Sequence, residues 1–425
     1  MAVIETTAEV TETRATGAPG YYAWIVFALT FGLLISDYMS RQVLSAVFPL
    51  LKAEWGLSDV QLGSLSGIIS LMVGLLTLPL SLLAERVGRV RSLFAMAVLW
   101  SLATLGCALA RSYEQMMFAR FLVGLGEAAY GSVGIAVVLS VFPARMRATL
   151  TGAFMAGGMA GSVLGVGVGG LVAAELGWRW AFAAMALFGL LLALPYPLVV
   201  KETIDRRAAA AAGGMKARRA RQVRLVSSRT VICAFLGSGL QLFIVGGLVA
   251  WMPSYLGRYY AMTPDKAGGL AAVLLLVSGA GMVFWGMVSD RLAKQGKPRK
   301  VTLAAGLCML CFVLLTVGFA AKPGQEQLIL IAAGLFVAAG VTGPSGAMVA
   351  NLTHPAVHGA AFALLTLANN LLGLAPGPVV TGALADSLGL DVALRLIPVV
   401  SLAAAACFLV GRLSYSADLK RLTED

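Results

Sequence analysis

Two pairs of ionisable residues sit inside stretches that are otherwise apolar: Asp37 with Arg41, four apart, and Arg120 with Glu127, seven apart. On a helix each spacing puts the pair on one face, the second over two turns or about 10.5 Å. A charge inside an apolar span costs at least about 2.5–3.5 kcal/mol and by default faces a bundle interior or a water-filled path. A carboxylic acid kept from water beside an arginine can take up a proton on one side and release it on the other. An arginine so placed can grip a carboxylate through charge-assisted, two-pronged hydrogen bonds. Asp37 and Glu127 are therefore expected to couple protons, and Arg41 and Arg120 to bind an anion, with Arg120 pairing by turns with substrate and Glu127. A permanent ion pair closing two helices is the other reading of Glu127, and it stays open here.

The elements that must position these residues follow from composition. Of 425 residues, 59% are hydrophobic and 12% charged, with a mean hydropathy of +0.87, against roughly 25% charged residues in a soluble domain. Apolar runs fall near 22–51, 58–84, 92–110, 116–141, 148–173 and 182–200, then 230–256, 267–288, 301–320, 328–349, 359–384 and 392–413. Each is long enough for the ~20 residues that cross a bilayer. Pro49, Pro143, Pro195, Pro253, Pro323 and Pro355 are read as marking span ends, since proline cannot continue a helical hydrogen-bond ladder. The fold class expected is an all-α membrane protein of twelve transmembrane helices in two six-helix bundles.

A net charge of +12 would also suit nucleic acid, but the charges lie in short loops between the apolar runs. With the N-terminus in the cytoplasm, 23 of the 32 Lys and Arg residues fall in inside segments and eight at outside ends, Arg41 among the eight, with Arg120 inside a span. Cytoplasmic loops are enriched in these residues, so both termini are expected inside an inner, plasma-type membrane. The boundaries read are a cytoplasmic tail over 1–20, a first bundle over 21–200, a basic cytoplasmic linker over 201–229, a second bundle over 230–413 and a tail over 414–425. The linker's nine basic residues, alanine run and Gly213-Gly214 set it apart, and its charge suits anionic lipid headgroups.

The loop after the second span reads Glu85-Arg86-Val87-Gly88-Arg89-Val90-Arg91, and the loop after the eighth has Asp290-Arg291 with Lys297, Arg299 and Lys300. The repeat resembles the G-x-x-x-D-R-x-G-R-[KR] loop carried in both halves of the major facilitator superfamily, with Ser81 and Glu85 standing where Gly and Asp are usual. The resemblance implies that Glu85, Arg86, Arg89, Asp290 and Arg291 act in gating; plain anchoring at the membrane surface is the other reading. Arg120-Phe121-Leu122-Val123-Gly124-Leu125-Gly126-Glu127-Ala128-Ala129-Tyr130 resembles the R-x-x-x-G-x-G-E-A segment of spinster-like carriers and organic anion:cation symporters. Asn369-Asn370 through Pro376 and Pro378, with Gly382 and Asp386, is similar to bacterial spinster-like members. These subfamilies usually end the first span with Asn-Tyr-x-Asp-Arg. Here the run is Asp37-Tyr38-Met39-Ser40-Arg41, so the acid stands one turn before the arginine instead of beside it.

Further candidates for the substrate site are Tyr130 in the first half and Gln241, Trp251, Tyr255, Asn369 and Asn370 in the second, with Ser345 beside them. The aromatic ones suit a membrane-interface belt equally well. Gly157, Gly161, Gly165 and Gly169, four apart, are either a seam on which the halves rock or a tight helix contact. His354 and His358 could pair on a metal or lie in a solvated loop, and the five cysteines, Cys308-x-x-Cys311 included, read as small apolar residues. The nucleotide-binding and hydrolase motifs G-x-x-x-x-G-K-[ST], H-E-x-x-H and G-x-S-x-G are missing, so neither an enzyme nor an ATP-driven pump is expected, and no cofactor. The expectation is a secondary active transporter, acting as a monomer in the lipid bilayer on protons and a small-molecule substrate. Its first form is proton-coupled symport of an organic anion by alternating access; the alternative is proton-coupled efflux of an amphipathic drug or lysolipid.

Overall fold

A computed structural model describes residues 20–201, 228–293, 299–354 and 357–424. The tail over 1–20, apart from Gly20, and nearly all of the 201–229 linker lie outside the described residues. Among the described residues, twelve helices are long and apolar enough to cross a membrane: α1 Tyr21–Trp55, α2 Asp59–Val87, α3 Arg89–Leu109, α4 Tyr113–Val141, α5 Thr149–Leu176, α6 Trp178–Val199, α7 Arg229–Tyr260, α8 Pro264–Leu292, α9 Arg299–Ala320, α10 Gln325–Asn351, α11 His358–Leu388 and α12 Leu390–Arg421. There is no strand among the described residues. The chain is thus a multi-pass membrane protein with the expected helix count. Leu187 and Leu191 on α6, Val283 on α8 and Leu409 on α12 are exposed, as side chains that face lipid need be.

The last helix runs on to Glu424, through residues read as a tail. Pro49 and Pro253 do not end their spans: α1 continues to Trp55 and α7 to Tyr260. A proline removes one ladder donor and crowds one turn, which neighbouring helices tolerate in a span.

The two halves repeat each other's joints. Gly56 after α1 (φ 66°) and Ala261 after α7 (φ 51°) both end their helices in the left-handed conformation. Gly177 and Gly389, each at φ 88°, turn α5 into α6 and α11 into α12 with a single residue. The start of α2 is fixed by a capping box between Ser58 and Gln61.

α1 begins and α12 ends at one face of the bundle, called here the near face; the α1–α2 and α7–α8 joints mark the far face. Across the halves α2 lies along α11, α5 along α8 and α1 against α7. The α2–α11 crossing is close because Gly63 and Gly67 abut the backbone of Pro378 and Ala375, and Gly382 abuts that of Asp59. Of the α5 glycines, Gly157, Gly161, Gly165 and Gly169 face α1 of their own half, so of their two readings it is the tight contact that the packing carries. Gly170 meets Pro264 and Gly268 of α8, and with Gly167 it forms the contact between halves.

Candidate functional site

Asp37, Arg41, Arg120 and Glu127 come together between α1 and α4. Asp37, Arg120 and Glu127 are each 1% exposed, while the Arg41 side chain keeps 19% of its surface. Arg41 lies well inside its span rather than at an outside end, about three-fifths of the way along α1. Its Nε–H donates to Asp37 Oδ1 at 3.0 Å, and the same nitrogen is 2.7 Å from Glu127 Oε2. Both carboxylates thus close on one edge of the guanidinium. Tyr38 underlies it, its ring centroid 5.2 Å from Cζ. Among the described residues the Nη1 and Nη2 groups of Arg41 have no hydrogen-bond partner. Neither oxygen of Glu127 receives a hydrogen bond.

Arg120 is held differently. Its Nε donates to the carbonyl of Leu65 on α2 (3.2 Å), Nη1 to that of Ser40 (2.9 Å) and Nη2 to that of Arg41 (3.2 Å). The side chain straps α4 to α1 and α2, and it does not pair directly with Glu127. Immediately after Glu127 the helix breaks: Tyr113–Glu127 ends, Ala129 stands at φ −113°, ψ 0°, and helix resumes at Tyr130. Thr77 Oγ1 donates to the Ala128 carbonyl at 2.7 Å. The sequence reading contained no such break.

The displaced acid of the first span still reaches the arginine. One helical turn back, Asp37 lies on the same face as Arg41, while the Ser40 hydroxyl is buried without a partner.

The other site candidates are dispersed. The Tyr130 hydroxyl donates to the Thr30 carbonyl at 2.9 Å and its ring packs edge-on against Trp100 inside the first half. Gln241 accepts from Ser401 at 3.1 Å within the second half, turned towards α12. Trp251 packs on Phe48 and donates to the Pro378 carbonyl, closing the far face. Tyr255 donates to Gln327 and packs on Tyr259 and Phe319. Asn370 lies against Gly74 of α2 and opens a π-helical turn over Asn370–Leu374; the Asn369 Oδ1 is buried without a partner. Ser345 bonds back to the Val341 carbonyl of its own helix. His358 Nε2 is 3.0 Å from each of the Ala350 and Thr353 carbonyls, which spends it on the α10–α11 joint.

At the near face Glu85, Arg86, Asp290 and Arg291 are exposed, with Arg89 partly covered. Asp290 lies 3.7 Å from Lys300 of its own half. Among the described residues none of these five bridges the two halves. At the far face the halves are tied by charge: Asp59 meets Lys52 and Arg258, and Asp386 meets the start of α2. The sequence reading counted Lys52 and Arg258 only among the eight basic residues at outside ends, and Asp386 only as part of a resemblance. The Ser58 capping signal just ahead of Asp59 was the one local hint that this carboxylate stands at a helix start.

Twelve spans in two repeated halves, with charges buried in the first half and a sealed far end, give the chain the build of a membrane transport protein. The family model for the Major Facilitator Superfamily matches residues 30–322 and 234–424, and the chain belongs to that superfamily. It is 29% identical over 325 residues to the "Probable L-galactonate transporter" of Escherichia coli (strain K12), covering 72% of this chain and 71% of that one. It is 24% identical over 395 residues to "Protein spinster homolog 1" of Xenopus laevis, covering 86% and 73%. The fold also matches a bacterial homolog of the human lysosomal transporter spinster, in an inward-facing and unoccupied conformation, with a TM-score of 0.85 at 19% identity over 95% of this chain and 99% of that one. The chain is a transporter, not an enzyme.

Proposed function

We propose that this protein is a secondary active transporter that carries a small organic anion by proton symport, as a monomer in a plasma-type membrane with both termini in the cytoplasm. The observation that carries the reading is the Arg41 guanidinium, held along one edge by two carboxylates while both Nη groups are left for a ligand. A carboxylate could take those two groups as a fork, and Tyr38 beneath keeps the plane fixed. The similarity to an L-galactonate transporter supports the same substrate class.

Charge balance supplies the coupling. Asp37, Glu127, Arg41 and Arg120 sum to zero when all are ionised, so a bound anion leaves one uncompensated negative charge in a buried site. A proton on Glu127 removes it. Asp37 accepts the Arg41 Nε–H, whereas Glu127 accepts no hydrogen bond, so Glu127 is the carboxylate that gives up its charge at smaller loss. The groups that face it are Asp37, Tyr38 and Arg41 from α1, Cys107 from α3 and Arg120 of its own helix. Anion binding then tightens as pH falls.

The test uses proteoliposomes with an imposed pH gradient and L-galactonate as probe. Wild type should accumulate it. Glu127→Gln, a mimic of the protonated acid, should still bind and exchange the anion but lose gradient-driven accumulation. Accumulation by the variant with unchanged pH dependence would move the coupling site to Asp37. The similarity to a spinster homolog favours a second reading, proton-coupled export of an amphiphile. Lysolipid export with no binding of sugar acids would put that reading first.

A further inference from the structure

Asp59, at the first position of α2, is 2% exposed and sits among three charges. Arg258 from the end of α7 grips it with both Nη groups, at 2.7 Å to Oδ2 and 2.6 Å to Oδ1. Lys52 from the end of α1 reaches the same Oδ1 at 2.6 Å. In return, Asp386 of α11 accepts the backbone N–H groups of Asp59 and Val60, at 2.7 and 2.8 Å. A helix N-terminus favours a carboxylate, and its first N–H groups have no partner within the helix. Each half therefore gives one carboxylate to the other, one to a guanidinium and one to a helix start.

The same four charges have a second pairing. Lys52 and Asp59 belong to the first half and are already in contact. Arg258 and Asp386 belong to the second half, close enough for their charges to act on each other. If the halves part at the far face, neither is left with an uncompensated charge, which is the costly outcome in a poorly solvated place. Sealed and parted arrangements of such a set are two discrete states, as a switching interface requires.

We propose that Lys52, Asp59, Arg258 and Asp386 form a partner-exchange latch: the cross-half contacts Asp59–Arg258 and Asp386–α2 hold the far face shut, and the within-half pairs Lys52–Asp59 and Arg258–Asp386 take over when it opens. This goes beyond the substrate reading and does not depend on which solute is carried.

The latch makes predictions of opposite sign for two cations on the same carboxylate. Arg258 makes two short charged hydrogen bonds to Asp59 across the halves and only a longer-range interaction with Asp386 in its own half, so Arg258→Met loses more in the shut state than in the open one and weakens the shut state. Lys52 competes with Arg258 for Asp59, so Lys52→Met leaves Asp59 dependent on Arg258 and favours the shut state. Spin labels at Arg111→Cys and Lys322→Cys, in far-face loops of the two halves, report the separation in the full chain, with its five cysteines replaced and in lipid nanodiscs. Arg258→Met should raise the ratio of long to short distances about tenfold or more, with Arg258→Lys between it and wild type. Asp386→Asn, which loses one acceptor and the charge, should shift the same way by less. Lys52→Met, added to the Asp386→Asn chain so that there is room to move back, should restore the short distance. Lys52→Met moving the populations in the same direction as Arg258→Met, or no shift in Arg258→Met, overturns the latch. Thermal melts of each variant separate a moved equilibrium from a chain that has lost its fold.

Discussion

Arg41 and Arg120 are the same residue in opposite situations. Arg120 has spent its Nε and both Nη groups on three carbonyls of α1 and α2, whereas Arg41 has spent only its Nε edge. Arg120→Lys leaves one ammonium for three acceptors, and a hydrogen bond to a charged group contributes about 1.5–3 kcal/mol. Arg120→Lys should therefore lower the melting temperature, and Arg120→Ala should lower it further, with anion affinity falling only as the site loosens. Arg41→Lys keeps the charge and the pairing to Asp37 and Glu127 but loses the fork. It should weaken L-galactonate binding about tenfold with an unchanged melt. Calorimetric binding beside thermal melts on the purified protein decides between them, and equal binding by wild type, Arg41→Lys and Arg41→Ala would sink the anion reading. These four charges were legible in the sequence because an ionisable group in lipid needs a partner or a water path, so its presence carries its own explanation. Gln241 and Tyr255 were not: a neutral side chain is satisfied on either side of its helix, and 100° of rotation decides whether it meets a cleft or, as Gln241 does, Ser401.

At the scale of the helices, α5 separates two uses of glycine. Gly161 and Gly165 lie on the backbone of Ile35 and Met39 in α1, a contact inside one half that persists whatever the halves do. Gly170 lies on Pro264 and Gly268 of α8, a contact that exists while the halves are pressed together there. Added side chains should therefore act on different equilibria. Gly165→Val should push α1 from α5 and lower the melting temperature, by an overpacking cost of about 1–3 kcal/mol. Gly170→Val should leave the melt nearly unchanged and shift the far-face distance towards open, read with the Arg111 and Lys322 labels. A melt lowered equally by both would mean that the α5–α8 contact is as permanent as the α1–α5 one. Span number and approximate ends were readable because lipid requires long apolar runs and loops concentrate charge. Which face a small-residue stripe presents is set by tertiary packing, so the same spacing of four fitted both readings until α1 was seen lying along it. The far-face latch was beyond reach for a similar reason: Arg258 and Asp59 are 199 residues apart and Asp386 is 327 from Asp59, and no local pattern joins them.

For the whole molecule, the halves are locked by charge at the far face. Phe48, Trp251 and the Asp59–Arg258 pair seal the far face, while Glu85, Arg86, Asp290 and Arg291 stand exposed at the near face, and no ion pair among them crosses the halves. Which compartment the sealed end faces depends on which face is cytoplasmic. The basic residues divide unequally: Arg86, Arg89, Arg91, Arg145, Arg147, Lys201, Arg229, Arg291, Arg299, Lys300, Arg412, Lys420 and Arg421 lie towards the near face, against Lys52, Arg111, Arg179, Arg258, Lys266, Lys322 and Arg395 towards the far one. On the topology proposed above, which positive-inside bias favours, the near face is the cytoplasmic one and the sealed far face is the outer one. In the far-face set Lys52 and Arg258 meet Asp59, Arg179 meets Glu54 and Arg395 meets Asp391. Arg86→Cys and Lys322→Cys, introduced singly with the five native cysteines replaced, are both exposed enough to react. In intact cells a membrane-impermeant maleimide should label Lys322→Cys and spare Arg86→Cys until the membrane is opened. The reverse pattern would turn the protein over in the membrane, put the sealed far face in the cytoplasm, and invert the direction in which a proton on Glu127 moves with its anion.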